Sequence, residues 1–129
     1  MANTDNLITY VAHEAIGEFE VVSLRTDGKV SLPSAATDVK IVGVAQRTVA
    51  AGDTVEVLIH GITRVKAGAD IVNLATAPQL AAAADGEVTV AASGEYPIAR
   101  ALPNLNQVST AGAGEQFFAY FIGAFTPLA

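Results

Sequence analysis

The side chains able to do chemistry are few and scattered. His13 and His60 are far apart in the chain, and neither sits in a His-x-His or His-x3-His pattern. Metal sites need several clustered ligands, so no resident metal is expected. The chain has no Cys, which excludes a thiol nucleophile, a thiolate zinc site and a disulfide framework. A nucleophilic serine calls for a strained Gly-x-Ser-x-Gly elbow, and Ser93 in Ala-Ala-Ser-Gly lacks it. Gly112-Ala-Gly114-Glu is a fragment of a phosphate-binding loop without the Lys or the third Gly. Glu14, Glu18 and Glu20 form an acidic cluster, read as a solvated segment. If the chain were a small enzyme assembled between subunits, His60, Asp53 and Glu56 would be the residues to test, and a pocket holding them with displaced pKa values would be the sign.

Binding is better represented than catalysis. Lys40, Arg47, Arg64 and Lys66 are placed where strands would carry them to one sheet face, suited to an acidic partner surface. Five of the eight aromatics are Phe117, Phe118, Tyr120, Phe121 and Phe125. On a strand, Phe117, Ala119 and Phe121 face one side, while Phe118, Tyr120 and Ile122 face the other. A strand apolar on both faces must be covered on both. The second cover is either this domain's own second layer or an oligomer contact.

The elements that must position these residues are β-strands. Short runs rich in Val, Ile and Thr alternate with turn signals such as Asp27-Gly28, Gly52-Asp53, His60-Gly61 and Asp85-Gly86. Strands are predicted over 7–12, 20–24, 29–32, 39–46, 54–60, 62–67, 87–91, 96–102 and 116–123. Residues 54–67 alternate with Val55, Val57, Ile59, Gly61, Thr63, Val65 and Ala67 on the core row, with a break expected at Gly61. Residues 75–84 hold six alanines and Pro78, which predicts a short helix, with a packed small-residue loop as the alternative. No internal repeat and no linker stands out. The reading is all-β: a small antiparallel barrel or β-clip-like domain over 19–129, preceded by an N-terminal segment 1–18.

Composition limits the partners. The 129 residues carry formal charge −6, with 7 basic and 13 acidic side chains. That balance disfavours phosphate neutralisation and hence nucleic acid. The first 20 residues hold four acids and no Lys or Arg, so no secretory signal is read there. The apolar run FFAYFIGAF is too short to span a bilayer as a helix. A soluble, cytoplasmically made protein is expected.

The order of motifs carries a resemblance. Ile41-Val-Gly-Val-Ala-Gln46 is followed by Ala51-Gly-Asp-Thr-Val-Glu-Val-Leu-Ile-His-Gly61 and Ile62-Thr-Arg-Val-Lys-Ala-Gly68. Later come Asp85-Gly86, Pro97-Ile-Ala-Arg-Ala-Leu102 and Gly114-Glu-Gln-Phe-Phe-Ala-Tyr-Phe-Ile122. Over about residues 39–123 this resembles the capsid decoration, or cement, proteins of tailed double-stranded-DNA bacteriophages. Ala99 stands where that pattern has Gly, and Asn73 where a turn Gly is expected. The resemblance implies a compact β-barrel or β-clip-like domain, commonly a homotrimer. It would sit on the outer surface of the expanded capsid, bound to the major capsid protein, with no catalytic residue and no cofactor. It also implies an N-terminal arm over 1–18, with Leu7, Ile8, Tyr10 and Val11 touching the shell. Phe118, Tyr120 and Ile122 would make the oligomer contact, and Arg47, Arg64 and Lys66 polar contacts. Segment 7–12 reads first as a strand of this domain, with addition to a neighbour's sheet as the alternative. A tail or fibre β-module binding carbohydrate or another virion protein is the alternative, its carbohydrate form weakened by the absence of Trp.

Overall fold

The structure, a computed structural model, describes residues 6–35, 40–103 and 110–122. Ten strands lie among them: β1 (Leu7–Val11), β2 (Val21–Leu24), β3 (Val30–Ser31), β4 (Ile41–Ala45), β5 (Thr54–Leu58), β6 (Gly61–Lys66), β7 (Gln79–Ala82), β8 (Val88–Val90), β9 (Pro97–Ala101) and β10 (Gln116–Phe121). They form two antiparallel five-stranded sheets, ordered β1-β5-β4-β2-β3 and β6-β10-β9-β7-β8. The all-β expectation holds. The barrel does not: the edges of each sheet meet at one isolated parallel bridge, Ala12 with Val30 and Ala67 with Val88, and not along a ladder.

The second strand order is the first with every number raised by five, so the chain folds the same unit twice. The agreement extends to individual bonds. His13 N–H donates to the Val30 carbonyl at 2.8 Å, as Gly68 N–H does to Val88 at 2.7 Å. Ile16 bridges Val49 as Ile71 bridges Ala111. A bulge interrupts β2 between Val22 and Ser23, and β7 between Leu80 and Ala81. Among the described residues two non-glycines have positive φ, Phe19 (64°) and Ala77 (52°), one before each equivalent strand. The eight buried residues of the first unit's inner cluster are Ala12, Ile16, Val22, Val30, Ala45, Val49, Val55 and Val57. Their counterparts Ala67, Ile71, Leu80, Val88, Ala101, Ala111, Phe117 and Ala119 all lie in the larger cluster.

Local chemistry explains the recurring turns. The Asp27 carboxylate accepts the Lys29 N–H at 3.0 Å, and Asp85 accepts the Glu87 N–H at 3.3 Å. Gly28 and Gly86 then take φ of 84° and 88°, a backbone that costs a residue with a Cβ about 1 kcal/mol or more. Gly61, at φ 124°, marks the expected break, and there the chain crosses from one sheet to the other.

Two expectations are corrected. Residues 75–84 are not a helix: a single 3-10 turn spans Leu74–Thr76, and Gln79–Ala82 is a strand between β8 and β9. Leu80, Ala81 and Ala82 are buried on successive faces, so closely packed neighbours on both sides favour alanine and override its helix preference. The described part of the N-terminal segment is not a projecting arm. Leu7 to Val11 pair with β5 over the whole strand, and Ile16 pairs with Val49. Residues 1–5 lie outside the described residues.

Candidate interaction surface

The residues considered for chemistry do not converge. Among the described residues, no group of three or more His, Asp or Glu could hold a metal ion. His13 and Asp53 are exposed, and Ser93 lies on an exposed turn. Glu56 is taken up by Arg47 at 2.7 Å, a hydrogen bond that lowers its carboxyl pKa and raises that of the guanidinium. His60 meets Tyr120 edge-on, with ring centroids 5.3 Å apart. The acidic cluster is structural: Glu14 accepts the Leu32 N–H at 3.0 Å, and Glu20 accepts the Gly17 N–H at 2.7 Å.

The basic residues also separate. Arg47 is held by Glu56, Arg64 stacks 5.0 Å over the Phe118 ring, and Lys66 reaches Glu20 at 3.4 Å. Lys40 lines a shallow groove with Leu24, Arg25 and Ile41, which contains none of His60, Asp53 and Glu56. So the three positions expected to make one polar contact each have their own intramolecular partner.

The aromatic strand behaves as its alternation requires. Phe117, Ala119 and Phe121 are buried. On the other face Phe118 is half-buried, while Tyr120 and Ile122 are 37% and 41% exposed. Phe125 lies outside the described residues. Register places Ile62, 54% exposed, opposite Tyr120. Tyr120 is in turn opposite Arg100, and Arg100 opposite Gln79. This row, Ile62–Tyr120–Arg100–Gln79, is the outer face of the second sheet. Ile62 was the residue missed by sequence reasoning, although its place on the even row of 54–67 is the signal that it points outward.

The equivalent row of the first sheet is Leu7–Leu58–Val44–Val21. It is apolar throughout and packs into the shared core against the second unit. On the first sheet's edge, Ile8 and Val11 are exposed while Leu7 and Tyr10 pack inward. The expected contact set of β1 therefore divides: Ile8 and Val11 are available to a partner, and Leu7 and Tyr10 serve the fold.

Three polar contacts accompany that apolar packing between units. Gln46 Nε2 donates to Thr63 Oγ1 at 3.1 Å, Lys66 pairs with Glu20, and the Val21 N–H donates to the Gly86 carbonyl at 2.7 Å. Beside this contact, the Glu87 carboxyl is raised by its hydrogen bond to Asp85, by burial and by the Asp85 charge. The same hydrogen bond lowers Asp85. No known family model and no curated protein matches the chain.

Proposed function

We propose that this protein is a structural component of a tailed-phage virion that binds the outside of the capsid, contacts the major capsid protein and stabilises the shell as a homotrimer. The reading rests on the resemblance over residues 39–123 and assigns the chain no catalytic role or cofactor. The observation that carries it is the exposed apolar strip on the outer face of the second sheet, Ile62 with Tyr120 and Ile122, with Ile8 and Val11 exposed separately along the edge strand β1. Exposed apolar positions grouped on one face mark contact surfaces better than isolated ones do. The negative charge keeps the free protein soluble before assembly, and disfavours DNA as a partner. Many copies on one shell let individually modest contacts add up to a durable lattice.

The test is cosedimentation with phage heads of the protein's own source. Saturable binding to expanded heads, absent from unexpanded ones, supports the reading. Failure to bind either form refutes it. Tyr120 beside His60, with Arg100 opposite, also gives an exposed aromatic flanked by polar groups, as sugar sites use. A clear hit on a glycan array, without head binding, would favour a carbohydrate-binding virion module instead.

A further inference from the structure

The contact between the two units is head-to-tail. The first unit contributes the outer row of its sheet, together with Gln46 and Glu20. The second contributes a different part of the same design: Thr63 and Lys66 on β6, and the tip of the β7–β8 hairpin at Gly86. Two equivalent units joined this way leave one surface of each kind uncovered. The second unit keeps its outer row, Ile62–Tyr120–Arg100–Gln79. The first keeps its β1 edge and the Asp27–Gly28 tip, where a Cβ on Gly28 would meet nothing within 4 Å.

The two free surfaces have changed in matching ways. Where the internal contact pairs Gln46 with Thr63, the structurally equivalent residues are Leu102 in the second unit and Ile8 in the first. Where it pairs Glu20 with Lys66, they are Pro78 and Val11. The equivalences follow from the shared ladders: Gln46 N–H donates to Glu56 as Leu102 N–H does to Phe118, and Ala45 N–H donates to Glu20 as Ala101 N–H does to Pro78. A single exposed isoleucine means little. Both polar pairs being replaced by apolar residues on both sides is complementarity.

We propose that a second copy of this chain docks here, its β1 edge and Asp27–Gly28 tip seated on the outer row of the second unit, repeating between molecules the contact made within one. This deepens the self-association in the proposed function and rests on that part of it. The interface is heterologous, so copies close into a ring or extend as a chain, and do not pair about a two-fold axis. A three-copy ring would carry its five-stranded units as a six-fold series.

The test is mass by sedimentation for the full chain, without capsids. Wild type is expected at a multiple of 13.2 kDa. Ile8→Glu and Ile62→Glu, both at exposed positions, should each fall to one chain with unchanged circular dichroism. Each variant blocks a different surface, so a mixture retains one good interface and should give a 1:1 dimer. As a second measurement, the cysteine-free chain allows clean trapping: Val11→Cys mixed with Pro78→Cys should form disulfide-linked heterodimers faster than either forms homodimers. A monomeric wild type at every concentration, wild-type mass in either Glu variant, or no excess of heterodimer overturns the proposal. Head binding is scored separately. Its loss with self-association intact overturns only the capsid reading, and the reverse result overturns only this interface.

Discussion

Leu58 and Tyr120 occupy the same place in the two units, and truncating each to alanine reads the internal contact directly. Leu58 is 8% exposed in the shared core, whereas Tyr120 is 37% exposed. Leu58→Ala removes three carbons, about 2.4 kcal/mol at ~0.8 kcal/mol per buried CH2. The cavity left between the units adds to this, for a total of about 3 kcal/mol, near the lower end for buried leucines. Tyr120→Ala loses the edge contact with His60, a long exposed hydrogen bond between its hydroxyl and His60 Nε2 at 3.5 Å, and part of its packing, so about 1 kcal/mol or less is expected. The assay is urea denaturation at pH 7, with both changes in the Ile8→Glu background so that self-association does not contribute. With m near 1.5 kcal/mol/M, the Leu58 variant should lose roughly 2 M in its midpoint, at unchanged m. A loss for Leu58→Ala under about 1 kcal/mol, or an equal loss for Tyr120→Ala, would refute the unit contact as described.

Gly28→Ala and Gly86→Ala share the strain of φ near +85° and should each cost about 1 kcal/mol, but a Cβ at Gly86 would lie 2.8 Å from Glu20 Cβ, adding roughly 1–3 kcal/mol in the same denaturation assay. Ala77→Gly relieves a left-handed φ of 52° and is expected to raise stability by up to about 1 kcal/mol, seen as a higher melting midpoint. Glu87 binds its proton more tightly folded than unfolded, because of Asp85. Its contribution is therefore most favourable below the ordinary glutamate value of 4.5 and is lost as pH rises through the folded pKa above it. Asp85, lowered from 3.8, works in the opposite sense at lower pH, its stabilisation lost as pH falls through its folded pKa. Glu87→Gln should remove the upper slope, a difference of a few tenths of a kcal/mol for a half-buried carboxyl still in reach of solvent screening, read from melting midpoints between pH 4 and 7.

Alternation and turn residues carried most of the strands. Val55, Val57, Thr63 and Val65 face inward as the odd row required, and Gly61 turns the chain where its missing Cβ allows. What period-two reading does not reveal is who covers a face. Val44 and Arg100 sit at the same point of the same unit, one against the second sheet and the other in solvent, so their residue types diverged with their surroundings. The same holds for Val21 and Gln79, which is why the duplication was invisible in the sequence. Strand β7 was missed because propensity weighs local backbone entropy, whereas Ala81 and Ala82 answer to close neighbours on both faces. The basic residues were grouped by sheet face, but Glu20, Glu56 and Phe118 each capture one of them.

The apolar row Leu7–Leu58–Val44–Val21 also sets a timetable for synthesis. Once Leu58 has left the ribosome, the first unit has all five of its strands and can close its own inner cluster. Its outer row still has nothing to lie against. The second unit needs roughly 60 more residues, about 3 to 12 s of elongation at ordinary rates. During that interval the nascent chain presents a folded β-layer with a bare hydrophobic face, a target for trigger-type chaperones and for neighbouring nascent copies on the same message. Crowded translation therefore threatens this chain most at its midpoint, before the second unit exists to shield the first.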